Sequence, residues 1–172
     1  MLQVLNERDD VEVHLVLSKG ARKSIRAEMD MGPEAFEKLA DVVHEPENMG
    51  ATISSGSFVT IGMTIIPCSM HTLGEVASGV SGALISRAAD VCLKERRPLV
   101  LVTRETPLNL IHLRNMETVT LAGATVLPPV PAFYHRPTSI EDLLMQTVGK
   151  VLDQFHLEHQ LFRRWNGAAD SC

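Results

Sequence analysis

The run at residues 98–102, Pro-Leu-Val-Leu-Val, offers no polar side chain to either face of an extended chain. Successive side chains of a strand point to opposite faces, so such a run is satisfied only where both faces are covered. Other short runs follow the same logic. Val11, Val13, Leu15 and Leu17 alternate with Glu12, His14 and Val16, residues 63–66 read as a short buried strand ending at Pro67, and residues 125–127 give a short fourth strand. Amphipathic stretches separate these runs. Strands alternating with helices predict a parallel sheet with helices on both faces, an α/β doubly wound domain. Such sheets bind ligands at the carboxyl ends of their strands, so the chemistry is expected just after each strand.

The helix signals are local. Ser69 suits the cap of a helix from about Met70. A helix is expected over about residues 82–94, and another opens at Pro107 and closes at Gly123. Residues 19–28 and 33–39 read as short helices, the second with Pro33 in its first turn. Residues 44–57 read as a loop. A proline-rich loop, PPVPAFYHRP, precedes the clearest helix. There Ile140, Leu143, Leu144, Thr147, Val148, Val151, Leu152 and Phe155 form one stripe at helical spacing, and Ser139 with Asp142 fits a capping box. Leu2, Val4 and Leu5 suggest that the chain opens on a helix. A doubly wound sheet ordinarily opens with a strand and a glycine-rich turn.

Composition narrows the classes. The 172 residues suit a single domain, expected over residues 1–172 with a C-terminal tail from about residue 156. A net charge of −5 and 4% aromatic residues argue against a nucleic-acid surface. The cysteines, Cys68, Cys92 and Cys172, include no CxxC pair. Neither a disulfide framework nor a cysteine zinc site is expected, and the expected location is cytoplasmic. No run of about eighteen apolar residues predicts a membrane span, and acidic charge comes too early for a secretory signal.

Several groups of residues stand where such a sheet does chemistry. In Pro67-Cys68-Ser69-Met70-His71-Thr72, a helix start offers unpaired N–H groups to phosphate, with two hydroxyls beside them; an ordinary N-cap explains the same residues. Arg87 falls in a stripe with Leu84, Ala88 and Val91. An inward guanidinium needs an anion, or Asp90 satisfies it as a plain helical pair. Lys94, Arg96 and Arg97 end that helix, where basic residues favour the dipole, and Arg96 and Arg97 are expected to be solvated. Arg104 and Glu105 directly follow residues 98–102. They suit phosphate holding plus proton exchange, or a surface ion pair. Tyr134 sits on a loop stiffened by prolines, where packing alone also accounts for it. His135 has no partner at metal-ligand spacing, so no metal is expected. Lys150 flanks the stripe of the last helix, a snorkelling position. Trp165, beside Arg163 and Arg164, suits an interface. Together these cations and hydroxyls suit a small phosphorylated ligand.

The run from PCSMHT through GALISRAADVCLKERRPLVLVTRETPL to PPVPAFYHRP and VLDQF resembles the UbiX-type flavin prenyltransferases. That family includes small subunits of aromatic (phenylacrylic or hydroxyarylic) acid decarboxylase systems. The likeness covers about residues 11–165. It implies a flavodoxin-like fold and a homododecamer. The implied reaction is metal-free transfer of a dimethylallyl group from dimethylallyl phosphate to N5 and C6 of reduced FMN. The prenylated FMN then serves a separate UbiD-type decarboxylase.

By motif, the resemblance assigns FMN contacts to Ser18 in LVLSK, to Ser69, Met70, His71 and Thr72, and to Arg104. Position 71 is usually lysine in relatives. The resemblance puts Glu28 at the prenyl site and Arg87, Lys94, Tyr134 and Lys150 on the prenyl phosphate. It gives Glu105 an acid/base role and makes Trp165 the aromatic that closes over the site. Relatives begin with a strand and a Gly-Ala-Ser-Gly type loop that cradles the FMN phosphate, and this sequence starts downstream of it. A true lack of that loop predicts weak FMN affinity and an exposed sheet edge; a late start codon predicts neither. Two alternatives accompany this reading. One is a non-catalytic or truncated assembly subunit of a decarboxylase system, favoured by the absent loop. The other is a peptidyl-cysteine decarboxylase-like flavoprotein, opposed by the RETPL and PAFY motifs.

Overall fold

The strand Leu99–Thr103 is buried along its whole length, and its alternation organises the molecule. In the computed structural model, which describes residues 1–165 and 167, Leu99 and Leu101 pack into one core with Ile65, Leu73, Ala89 and Val119. Val100 and Val102 turn the other way, onto Val151, with Met1, Leu127 and Phe155 alongside. Full burial of each such side chain stabilises the fold by roughly 1.5–3 kcal/mol.

The elements run α1 (Leu2–Asn6), β1 (His14–Val16), α2 (Lys19–Glu28), α3 (Pro33–Glu37), β2 (Val42–His44), a 3-10 turn (Thr52–Ser54), β3 (Met63–Cys68), α4 (Met70–Ser78), α5 (Leu84–Lys94), β4 (Leu99–Thr103), α6 (Leu110–Leu121), β5 (Thr125–Val126) and α7 (Ile140–Gln154). Every strand pair is parallel, as the alternation predicts. The strands form two sheets, however: β1 with β2, and β3-β4-β5 with β4 central. Among the described residues no strand is hydrogen-bonded between β1 and β3, so each keeps one unpaired edge. Helices cover both faces of β4, with residues of α4, α5 and α6 on one side and of α7 on the other. No helix among the described residues is long and apolar enough to cross a membrane.

Four elements depart from expectation. β2 has only three residues, too few for a period to show against its polar flanks. β3 continues through Pro67, which has no N–H to give, and pairing resumes at Cys68 opposite Thr103 after an irregularity. α6 starts at Leu110 instead of Pro107, because the Asn109 side chain accepts the His112 N–H at 2.9 Å and sets the cap there. In α7 the box of Ser139 and Asp142 forms as read. Its stripe is only partly covered: Ile140 and Leu144 stay 77% and 59% exposed, and the buried face begins at Gln146.

Candidate active site

The carboxyl ends of β3 and β4 lie side by side. The Arg104 N–H donates to the Cys68 carbonyl at 3.3 Å, which brings Arg104 and Glu105 next to Ser69. Ser69 caps α4: its hydroxyl accepts the Thr72 N–H at 3.2 Å and lies 3.1 Å from Thr72 Oγ1. The N–H groups of Met70 and His71, in the first turn of α4, have no acceptor within the helix. Arg104 and Glu105 are exposed, and among the described residues neither makes an ion pair, with the other or elsewhere. Glu105 instead accepts the Thr106 N–H at 3.1 Å. Just ahead of them the Thr103 hydroxyl is buried without a partner. Spare amides, an orphaned hydroxyl and an unpaired guanidinium form a donor set that suits an anion or a polar ring edge.

Ser18 repeats the capping geometry at the end of β1, where its hydroxyl accepts the Ala21 N–H at 3.0 Å. Glu28 closes α2 and is exposed.

The cations expected on a phosphate fall in two groups. On α5, Arg87 reaches Asp90 at 2.7 Å and donates from Nε to the Ser54 carbonyl at 3.1 Å. The helical pair therefore forms, and a loop carbonyl shares the guanidinium. Lys94 pairs with Glu95. Arg97, expected in solvent, donates to the carbonyls of Gly56 and Phe58 at 2.5 and 2.7 Å. Loop carbonyls without sheet partners need donors, and Arg97 supplies them. Gly56 comes so close that a Cβ there would lie 2.6 Å from Lys94 Nζ.

The second group gathers on α7. Lys150 Nζ lies 3.4 Å from Asp153 Oδ2. The Trp165 ring meets Tyr134 edge-on at 6.5 Å. Hydrogen bonds from Arg164 first, then from His159 and Lys150, outweigh the opposing effect of burial and hold the Asp153 carboxyl at about 2. An open surface hollow lies here, lined by Glu158, His159, Gln160 and Arg164. Among the described residues no hydrogen bond or ion pair joins the α5 group to the α7 group.

Two thiols are chemically quiet. Burial pushes Cys68 up to about 12 and Cys92 up to about 11, so neither is a thiolate near neutral pH. Cys172 lies outside the described residues.

Two clusters in the structure were not anticipated from the residues. His14 Nδ1 lies 2.9 Å from His44 Nε2, and His14 Nε2 lies 2.6 Å from Glu12. Parallel pairing of β1 with β2 makes that contact, and β2 was the strand without a pattern. Asp153 was the other omission; its spacing of three from Lys150 was the available signal.

A parallel α/β fold with donors gathered at strand ends is the form of a flavin-binding domain, and residues 1–156 match the Flavoprotein family. The chain is 52% identical over 170 residues to the flavin prenyltransferase UbiX of Escherichia coli strain K12, covering 98% of this chain and 90% of that relative. It is similar to AnUbiX, solved in complex with FMN and dimethylallyl pyrophosphate, with a TM-score of 0.93, 55% identity, and coverage of 98% and 90%. It is equally similar in shape, at TM-score 0.93 and 50% identity, to a dodecameric FMN-dependent UbiX-like decarboxylase from Escherichia coli O157:H7, covering 96% of this chain and 90% of that one. The chain belongs to the flavin prenyltransferase family.

Proposed function

We propose that this chain transfers the dimethylallyl group of dimethylallyl phosphate to reduced FMN and passes the prenylated FMN to a UbiD-type decarboxylase. The observation that carries the reading is identity above 50%, over nearly the whole chain, to a relative named a flavin prenyltransferase and to one solved with FMN and dimethylallyl pyrophosphate.

The residues present fit FMN. The orphaned Thr103 hydroxyl, the Ser69 and Thr72 hydroxyls, the first amides of α4 at Met70 and His71, and Arg104 are donors suited to a phosphate and a flavin edge. Ser18 adds a second capped helix start. Bound there in reduced form, FMN supplies the nucleophilic ring atoms.

The rest of the chemistry belongs to the chain's own side chains. Breaking the allylic C–O bond loads charge on the departing phosphate oxygens. Arg87, Lys94, Lys150 and the Tyr134 hydroxyl are the groups that take up that charge. Trp165 excludes water and shields the allylic cation with its ring face. Glu105, exposed and free of any cation among the described residues, accepts the proton released from the acceptor ring. Glu28 lines the prenyl site.

Assembly is part of the proposal. Leu110, Ile111, Leu113 and Leu121 on α6 are 60%, 68%, 50% and 82% exposed. Exposed Arg114 and Glu117 lie between Leu113 and Leu121, and apolar side chains so exposed along one helix favour cover by further copies. A homododecamer supplies them, and it lets the α5 cations of one copy meet the α7 group of another. The proposed site of action is the cytoplasm.

The direct test incubates the purified chain with reduced FMN and dimethylallyl phosphate and follows flavin mass. A gain of one prenyl unit is expected. Unaltered FMN at complete reduction overturns the reading.

A further inference from the structure

Residues 157–165 form a strap laid back across α7 and held at three places. At its start the Arg8 guanidinium donates to the Glu158 carbonyl at 2.7 Å, while Asp10 fixes Arg8 at 2.7 Å. In its middle, His159 and Phe162 sit against Gly149. A Cβ on Gly149 would fall 2.6 Å from a ring carbon of each, whereas carbons settle at about 3.5–4.0 Å. At its end Arg164 grips Asp153 with both terminal nitrogens, at 2.6 and 3.1 Å. The same carboxylate takes the His159 Nε2 at 3.1 Å, and the His159 side chain is only 3% exposed. The strap then meets the proline-rich loop, where Phe162 lies 6.4 Å from His135 and Trp165 lies 6.5 Å from Tyr134.

We infer that Asp153 is a positioning residue: through Arg164 and His159 it docks the strap that sets Trp165 against Tyr134, and through Lys150 it aims the amine at the substrate phosphate. The assignment of Trp165, Tyr134 and Lys150 to the reaction rests on the reading under Proposed function; the docking of the strap does not. A carboxylate offers about four acceptor sites. Here they are shared by donors from α7 and from the strap, so one group ties the two together. The two-pronged arginine contact fixes orientation as well as distance. Lys150 holds the longest of these bonds, at 3.4 Å. It is therefore the donor that leaves for a phosphate at least cost, while Arg164 and His159 keep the carboxylate satisfied.

Three substitutions in the full chain test this. Asp153→Asn keeps the shape and removes the charge. Gly149→Ala unseats the rings and leaves every charge in place. Arg164→Gln removes a half-exposed partner with little threat to folding. Each is assayed for prenylation with dimethylallyl phosphate varied at saturating reduced FMN. The fluorescence anisotropy of Trp165, the sole tryptophan, is read on the same samples. All three are expected to lower the anisotropy and to raise KM for dimethylallyl phosphate about tenfold, with FMN affinity held within about twofold. Asp153→Glu is expected to recover part of both. Unchanged anisotropy in Asp153→Asn overturns the inference whatever the rate, and if that variant does not fold, unchanged anisotropy in Arg164→Gln does so. A wild-type chain that makes no prenylated flavin defeats the functional reading alone, because the anisotropy still reports the strap.

Discussion

Glu105 stands at the end of β4 with its carboxylate engaged, among the described residues, only by the neighbouring Thr106 N–H. A carboxylate so placed is free to trade a proton, and the adjacent Arg104 is equally free of other duties. Replacing Glu105 by Gln removes the proposed base and keeps the size. Prenylation in a single turnover is expected to slow by about 10²–10⁴-fold, with FMN still bound; turnover at the wild-type rate removes Glu105 from the chemistry. The place of these two residues was legible because they follow a strand directly in sequence. So was the cap at Ser69, a local property of its own turn. Arg97 and Asp153 were not. The partners of Arg97 are carbonyls at Gly56 and Phe58, and most of those of Asp153 are strap residues, which only the folded chain brings near.

Among the elements, the pairing of β1 with β2 carries a pH dependence of its own. Burial, and then the neighbouring His14, push the His44 imidazole below its ordinary value. The unfolded chain takes up that proton near pH 6.5, and the folded one only at lower pH. Below about pH 6.5 the unfolded state therefore binds more protons, and stability falls as the pH drops. His44→Gln abolishes this component. Urea midpoints at about pH 7.5 and about pH 5 are expected to differ less in the variant than in the wild type; equal differences refute the assignment. At this scale β4 and α7 were the easiest to read, since an all-apolar run and a long stripe are strong patterns. β2 was hidden by its shortness. The exposed Ile140 and Leu144 show that periodicity identifies an apolar face without saying what covers it.

For the whole molecule, the exposed leucines of α6 are the proposed contact with further copies of the chain. Leu110→Glu with Leu121→Glu places charge where contact is expected. Light scattering is expected to show a smaller species, and prenylation is expected to fall with it if, as proposed, copies bring the α5 and α7 cations together. A variant that keeps both mass and activity argues that α6 lies outside the contact. The parallel α/β plan was plain from the alternation of runs, whereas the division into two sheets was not, because no residue pattern records which strand edges stay unpaired. One consequence lies in the placement of β4, the strand of its sheet with neighbours on both sides and side chains sealed above and below. Its amides can meet solvent only when the molecule opens as a unit. In heavy water Val100, Leu101 and Val102 should be the last to take up deuterium, at a rate that reports the global unfolding free energy.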